Sequence, residues 1–206
     1  MVKWYNKGMI KKIDSILSQK QIDRFRTLTD NLDVPKNEEG ELVYAEENEY
    51  SISKDLGRLQ FTIKDVSYPV ELKLTKIVNS LLNTNYRLSG TTYVEYNSKY
   101  GVPNLPPHFD GDETDLMVNY QLLSNTSWSI GLDKQVYSLE DNSALIFNPN
   151  QSIHWRPRKV FKDGEFIKMI FFRFVDVKNK KDNSHLRYTL EHEELKDVND
   201  FRDSLD

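Results

Sequence analysis

Between Tyr86 and Val175 the chain offers one strand-like stretch after another, with turn residues between them and no helical periodicity. Tyr86-Arg-Leu-Ser-Gly-Thr-Thr-Tyr-Val-Glu-Tyr96 comes first, rich in the β-branched and aromatic residues that suit a pleated surface. Asp115–Leu123, Trp128–Leu132, Gln135–Leu139, Ala144–Phe147 and Phe166–Val175 follow. Ser124-Asn-Thr126, Asp133-Lys134, Glu140-Asp-Asn-Ser143, Asn148-Pro-Asn150 and Lys162-Asp-Gly164 separate most of them. Short strands joined by such turns close into an antiparallel sandwich or barrel. The fold class predicted is therefore mainly β with supporting helices.

The flanks supply the helices. Met9, Ile10, Ile13, Ile16 and Leu17 recur at helical spacing, which predicts a helix over 9–17. Ser18 and Gln21 have the spacing of a capping box and start a second helix, with Ile22, Phe25, Leu28 and Leu32 inward and Pro35 as its stop. Residues 36–50 are acidic and poor in large aliphatics, reading as a loop with a short strand around Leu42 to Ala45, or as a substrate lid. Ser67 and Pro69 open a stronger helix, whose Val70, Leu74, Ile77, Val78 and Leu81 form a stripe that should lie on a sheet. Past Lys178 the chain is charged, with a helix expected over 184–201. A length of 206 residues fits one domain: helical support and loop over 1–85, core over 86–175, polar tail over 176–206.

Composition narrows the chemistry. With no cysteine, disulfides, iron–sulfur clusters and thiolate zinc are excluded, leaving His and carboxylate as metal ligands. A net charge of −4 gives no electrostatic match to nucleic acid or an anionic membrane. No apolar stretch long enough to span a bilayer and no signal-peptide run occur, so the expectation is a cytoplasmic protein.

The chain has four histidines, two of them in the polar tail. The others are His108, in Pro106-Pro-His-Phe-Asp110, and His154, in Asn148-Pro-Asn-Gln-Ser-Ile-His-Trp-Arg156. Alternate residues of an extended segment project to one side, so His108 and Asp110 point together. Several short strands return the chain to bring His154 beside them. Two imidazoles and one carboxylate occupy one face of an octahedral metal and leave the other open, the arrangement a non-haem Fe(II) oxygenase needs.

On these residues the segment Tyr86–Val175 resembles the Fe(II)/2-oxoglutarate-dependent dioxygenase superfamily, and its layout is most similar to the prolyl 4-hydroxylase-like branch. The matching features are Tyr96 on the strand before the first ligand, His108-Phe-Asp110, the distal His154 and a basic residue on the last core strand. The resemblance implies a double-stranded β-helix, or jelly roll, packed against the N-terminal helices. It implies Fe(II), 2-oxoglutarate and O2 as cofactor and co-substrates, with ascorbate as a supporting reductant. It also implies hydroxylation of an unactivated C–H, on a prolyl or other amino-acid residue. Another small metabolite, or a silent jelly-roll module that binds a ligand, are the alternatives.

A bound 2-oxoglutarate needs a buried cation for its far carboxylate. Lys168, in the apolar run Phe166-Ile-Lys-Met-Ile-Phe-Phe172, is the first choice; Arg173 and Arg156 remain open alternatives. Tyr120 would donate its hydroxyl to the same carboxylate, with Asn119 taking over if the register slips by one, and Tyr96 would line the mouth. Arg156 and Trp155 are the expected substrate contacts, by adjacency to His154. The partner expected is a peptide or a small molecule; oligomeric state is not legible.

Overall fold

The computed structural model describes residues 10–30, 50–63, 68–111 and 114–178. In chain order the strands are β1 (Lys11–Asp14), β2 (Tyr50–Ser53), β3 (Arg58–Thr62), β4 (Tyr86–Asn97), β5 (Leu105–His108), β6 (Leu116–Ser124), β7 (Ile130–Leu132), β8 (Gln135–Tyr137), β9 (Ser143–Phe147), β10 (His154–Arg156) and β11 (Phe166–Asp176). Helix α1 (Gln19–Asp30) lies between β1 and β2, and α2 (Tyr68–Leu82) between β3 and β4. The strands form a larger sheet, β1-β9-β6-β11-β4-β3-β2, and a smaller one, β5-β10-β7-β8. Every strand pairing is antiparallel. This is a jelly roll backed by two helices.

Strand parity divides the apolar residues into two layers. On β11, Ile170, Phe172 and Phe174 join Tyr93, Val118 and Tyr120 against Phe25 of α1 and Val70, Leu74 and Val78 of α2. Ile167, Met169 and Phe171 point the other way, into the space between the sheets, with Tyr96, Trp128, Met117, Leu132, Leu145 and Phe147. Each such large side chain taken fully from water contributes about 1.5–3 kcal/mol. The longest ladders, β11 with β4 and β6, form the wall that separates the helix layer from the barrel interior.

The helix expected over 9–17 is not formed: Lys11–Asp14 is a strand, with Ile13 opposite Ala144 and Lys11 opposite Ile146. Its short apolar pattern fits either period, and the free edge of β9 decides. Ser15, at a φ of 55°, ends the strand, and the Asn142 side chain then clamps the chain by accepting from Leu17 N–H at 2.9 Å and donating to Leu17 O at 3.0 Å. The second helix starts where expected: Gln21 Oε1 accepts from the Ser18 N–H at 2.9 Å. Ile22 and Phe25 are buried but Leu28 is 44% exposed, because Thr29 takes the inward place in the last turn. In α2, Val70, Leu74 and Val78 are buried while Leu81 is 45% exposed. Strands β2 and β3 were not expected, although Leu59, Phe61 and Ile63 alternate with polar residues and all three are buried. Leu32, the acidic loop with its proposed strand or lid, Ser67 and the tail helix lie outside the described residues. Among the described residues no helix is long and apolar enough to cross a membrane.

Candidate metal centre

β5 and β10 are neighbours, and their pairing sets His108 directly opposite His154. The ring centroids lie 4.1 Å apart. Asp110 follows β5, and its N–H donates to Pro149 O at 3.0 Å, which ties it to the turn before β10. Asp110 Oδ1 is then 3.5 Å from His108 Nε2 and 3.3 Å from His154 Nε2. One ligand atom from each of the three residues falls within 4.8 Å of the others. The His154 side chain is 6% exposed, against 35% for His108 and 30% for Asp110, so the cluster is closed on the barrel side and open on the other.

The donor set fits a cation. His108 Nδ1 meets Pro106 O at 2.7 Å and His154 Nδ1 meets Ser152 O at 3.3 Å. A carbonyl only accepts, so Nδ1 carries the proton in both contacts, and a neutral imidazole bound this way would present its Nε2 lone pair to a metal. Two lone pairs and a carboxylate oxygen then face one another, an arrangement that a metal ion holds together. Backbone partners on the far nitrogen are how ligating imidazoles are oriented. Burial pushes the Asp110 carboxyl up, but in the metal-free site protonated His108 and His154 outweigh it through hydrogen bonds and charge and hold it well below the usual carboxylate range; a bound metal would take the place of those protons.

Below this cluster the interior holds an unusual cation. Arg156 lies two residues along β10 from His154, on the same face, and is 2% exposed. Its Nη1 donates to Trp128 O at 2.5 Å and its Nη2 lies 3.1 Å from Met169 Sδ. Its guanidinium carbon sits 4.8 Å from the Trp128 ring centroid and 5.9 Å from that of Tyr96. Among the described residues no carboxylate pairs with it. Burial pulls its pKa down to about 10. Asn119, 3% exposed, faces the same interior from β6, and its Oδ1 is buried without a partner among the described residues.

The other residues singled out from the sequence are placed elsewhere. Lys168 sits on the helix side of β11, in step with Ile170 and Phe172, and its Nζ is 2.6 Å from Asp30 Oδ1 at the end of α1. An even-numbered position there cannot face the barrel interior, and the anion that explains a Lys in this apolar run is Asp30. Tyr120 also belongs to the helix layer; its hydroxyl donates to Asn142 Oδ1 at 3.1 Å. The one-residue slip makes Asn119 the inward member of the pair. Trp155 alternates with His154 and Arg156 and so lies on the outer face of the smaller sheet, opposite Gly131. Tyr96 does face inward, 4.8 Å from Trp128. It lies at the floor beside Arg156 and away from the mouth, and Arg58 Nη1 donates to its hydroxyl at 3.4 Å.

No family model matches the chain, and no curated protein matches it. Solved structures do. AviO1 from Streptomyces viridochromogenes Tue57 superposes with a TM-score of 0.60 at 11% identity, over 84% of this chain and 91% of that one. HygX from Streptomyces hygroscopicus, with nickel, 2-oxoglutarate and hygromycin B bound, gives 0.56 at 11% identity, over 84% and 85%. A 2OG-Fe(II) oxygenase family oxidoreductase from Burkholderia pseudomallei gives 0.56 at 10% identity, over 85% and 89%. With its antiparallel jelly roll and its two backing helices, the chain has the fold of the 2OG-Fe(II) oxygenases.

Proposed function

We propose that this chain is an Fe(II)- and 2-oxoglutarate-dependent dioxygenase that hydroxylates an unactivated C–H bond. The observation that carries the reading is the meeting of His108 Nε2, Asp110 Oδ1 and His154 Nε2 at the open end of the barrel, above a buried arginine with no carboxylate partner among the described residues. These three atoms would hold one face of the iron and leave the remaining positions to co-substrate and O2. When bound, iron and 2-oxoglutarate supply the oxidising chemistry, with succinate and CO2 as the co-products.

The protein's part is positioning. The Pro106 and Ser152 carbonyls hold both imidazole rings, so each Nε2 is turned toward Asp110 before a metal binds. Arg156 takes the distal carboxylate of 2-oxoglutarate at the barrel floor; its planar fork suits a carboxylate, and an anion there relieves an otherwise unmatched buried charge. Asn119 stands between the two levels. Met117, level with His154 through Phe147, is two residues before it, and Gln121, opposite Met169, is two residues after. Its amide can present either end, so the position left unpaired serves a polar ligand passing down the barrel. Trp128, Tyr96, Phe161 and Phe147 close the interior against water.

For the substrate, a prolyl or other amino-acid residue rests on the sequence resemblance alone. A small metabolite is the second reading, supported by the bound hygromycin B of HygX. The test is conversion of 2-oxoglutarate to succinate by the purified protein with Fe(II), ascorbate and air. Succinate formation that disappears in Asp110→Ala is expected. Tight 2-oxoglutarate binding with no turnover in any substrate panel would point instead to the silent binding module.

A further inference from the structure

We propose that Arg173 selects the substrate: it receives a carboxylate or phosphate group of an anionic substrate at the mouth of the barrel. This rests on the oxygenase reading for what happens next, but not for the anion site itself.

Three observations converge on this arginine. The first is direction. Ile167, Met169 and Phe171 face the interior while Ile170, Phe172 and Phe174 face the helices, so Arg173 faces inward. Its partner across the ladder is Met117, an interior residue.

The second is level. Gly90, Arg173, Met117 and Phe147 form one rung across β4, β11, β6 and β9. The Phe147 ring lies 5.4 Å from the His154 ring. Neighbouring strands are about 4.8 Å apart, which puts the Arg173 backbone about 10 Å along the rung from Phe147. Arg173 is therefore level with the metal cluster, whereas Arg156 is at the floor. The two cations serve two different ends of the cavity.

The third is that Arg173 is unspent. Among the described residues its side chain makes no hydrogen bond and no ion pair, although Lys168 on the same strand has Asp30. Nor, among the described residues, does a side chain fill the place beside it. Opposite is Gly90, where an added Cβ would meet nothing within 4 Å. Gly90 has no positive φ to explain it, so what the glycine contributes is room. A half-buried arginine that faces the barrel interior on the level of His154, beside a glycine, matches the planar, charge-assisted recognition of a carboxylate or phosphate.

The test uses inorganic phosphate as the probe and Arg173→Met as the variant, with circular dichroism and thermal melting to establish that the variant folds. In the metal-free protein, titration with phosphate should shift the Arg173 Nε–H resonance saturably; a signal that does not move overturns the proposal. In protein loaded with Mn(II) and 2-oxoglutarate, phosphorus relaxation of the phosphate should be enhanced by the nearby paramagnet. Arg173→Met should weaken that phosphate binding at least about tenfold, the loss of one charge-assisted hydrogen bond. Its Mn(II) and 2-oxoglutarate affinities should stay within about twofold of the parent, a change under about 0.5 kcal/mol. Enhancement that persists in Arg173→Met, or a loss of 2-oxoglutarate affinity in its place, overturns the assignment. If the parent binds neither Mn(II) nor 2-oxoglutarate, the oxygenase reading fails, and the metal-free titration still decides the anion site.

Discussion

His108 and His154 face one another across the β5–β10 ladder, and Asp110 Oδ1 lies within 3.5 Å of one ring and 3.3 Å of the other. Strand pairing supplies the first relation and a single backbone hydrogen bond, Asp110 N–H to Pro149 O, supplies the second. The site is thus carried by main-chain geometry, and its side chains can be changed without dismantling it.

Asp110→Ala tests that separation. The side chain is 30% exposed and its backbone anchor survives the change. The variant should fold, with an unchanged circular dichroism spectrum. Losing even an outer partner of a ligand costs about 10–100-fold in metal affinity, and losing a ligand should cost more. Calorimetric titration with Mn(II) measures it. Parent-like affinity in the variant would remove the carboxylate from the site.

Arg156 and Lys168 give opposite expectations. A charge-assisted hydrogen bond contributes about 1.5–3 kcal/mol, so Arg156→Met should weaken 2-oxoglutarate binding roughly 10–100-fold. Its thermal stability should not fall, because an unmatched buried charge has gone. Lys168→Met should leave 2-oxoglutarate affinity unchanged. It loses only the ion pair to Asp30, whose own side chain is 60% exposed, a change of about 1 kcal/mol or less. Competition titrations on the two variants separate the floor of the barrel from its helix side.

The meeting of His108, Asp110 and His154 and the β-rich core were both legible in the sequence, and the reasons differ. HxD and the distal His are local patterns, and counting the histidines left few alternatives. What could not be read was the face each strand presents. Ile167–Phe174 is apolar on both sides because the barrel interior lies on one and the helices on the other, so the alternation that would orient Lys168 and Tyr120 is erased. Direction there is decided by a partner remote in the chain: Asp30 for Lys168, Asn142 for Tyr120. The same limit turned Lys11–Asp14 into a strand, since only the open edge of β9 distinguishes the two readings. Leu59, Phe61 and Ile63 did carry a period-two signal, one that the polar residues around them obscured.

Asn119→Leu should raise stability and lower affinity together. Its Oδ1 is buried without a partner among the described residues, and removing such a group relieves about 1–3 kcal/mol of desolvation cost. The metal-free protein should therefore melt higher. If the amide serves a ligand in the barrel, 2-oxoglutarate binding should weaken in the same variant. A change in stability with no change in affinity would confine Asn119 to packing.

Gly131 and Trp155 connect the outer face of the smaller sheet to the site within it. A Cβ on Gly131 would lie 2.1 Å from Trp155 Cε2, a separation no real contact shows. Gly131→Ala must displace either the indole or the β7–β10 pairing, and overpacking of this kind costs about 1–3 kcal/mol. β10 holds His154 on its other face, paired with Leu132 one residue along from Gly131. A shift of that strand should therefore weaken Mn(II) binding as well as lower the melting temperature. Trp155→Ala in the Gly131→Ala background removes the clash and should recover part of both losses, giving a coupling term that two independent sites would not show. Additive effects in this cycle would mean that the indole does not press on β7, and that His154 is positioned by β5 alone.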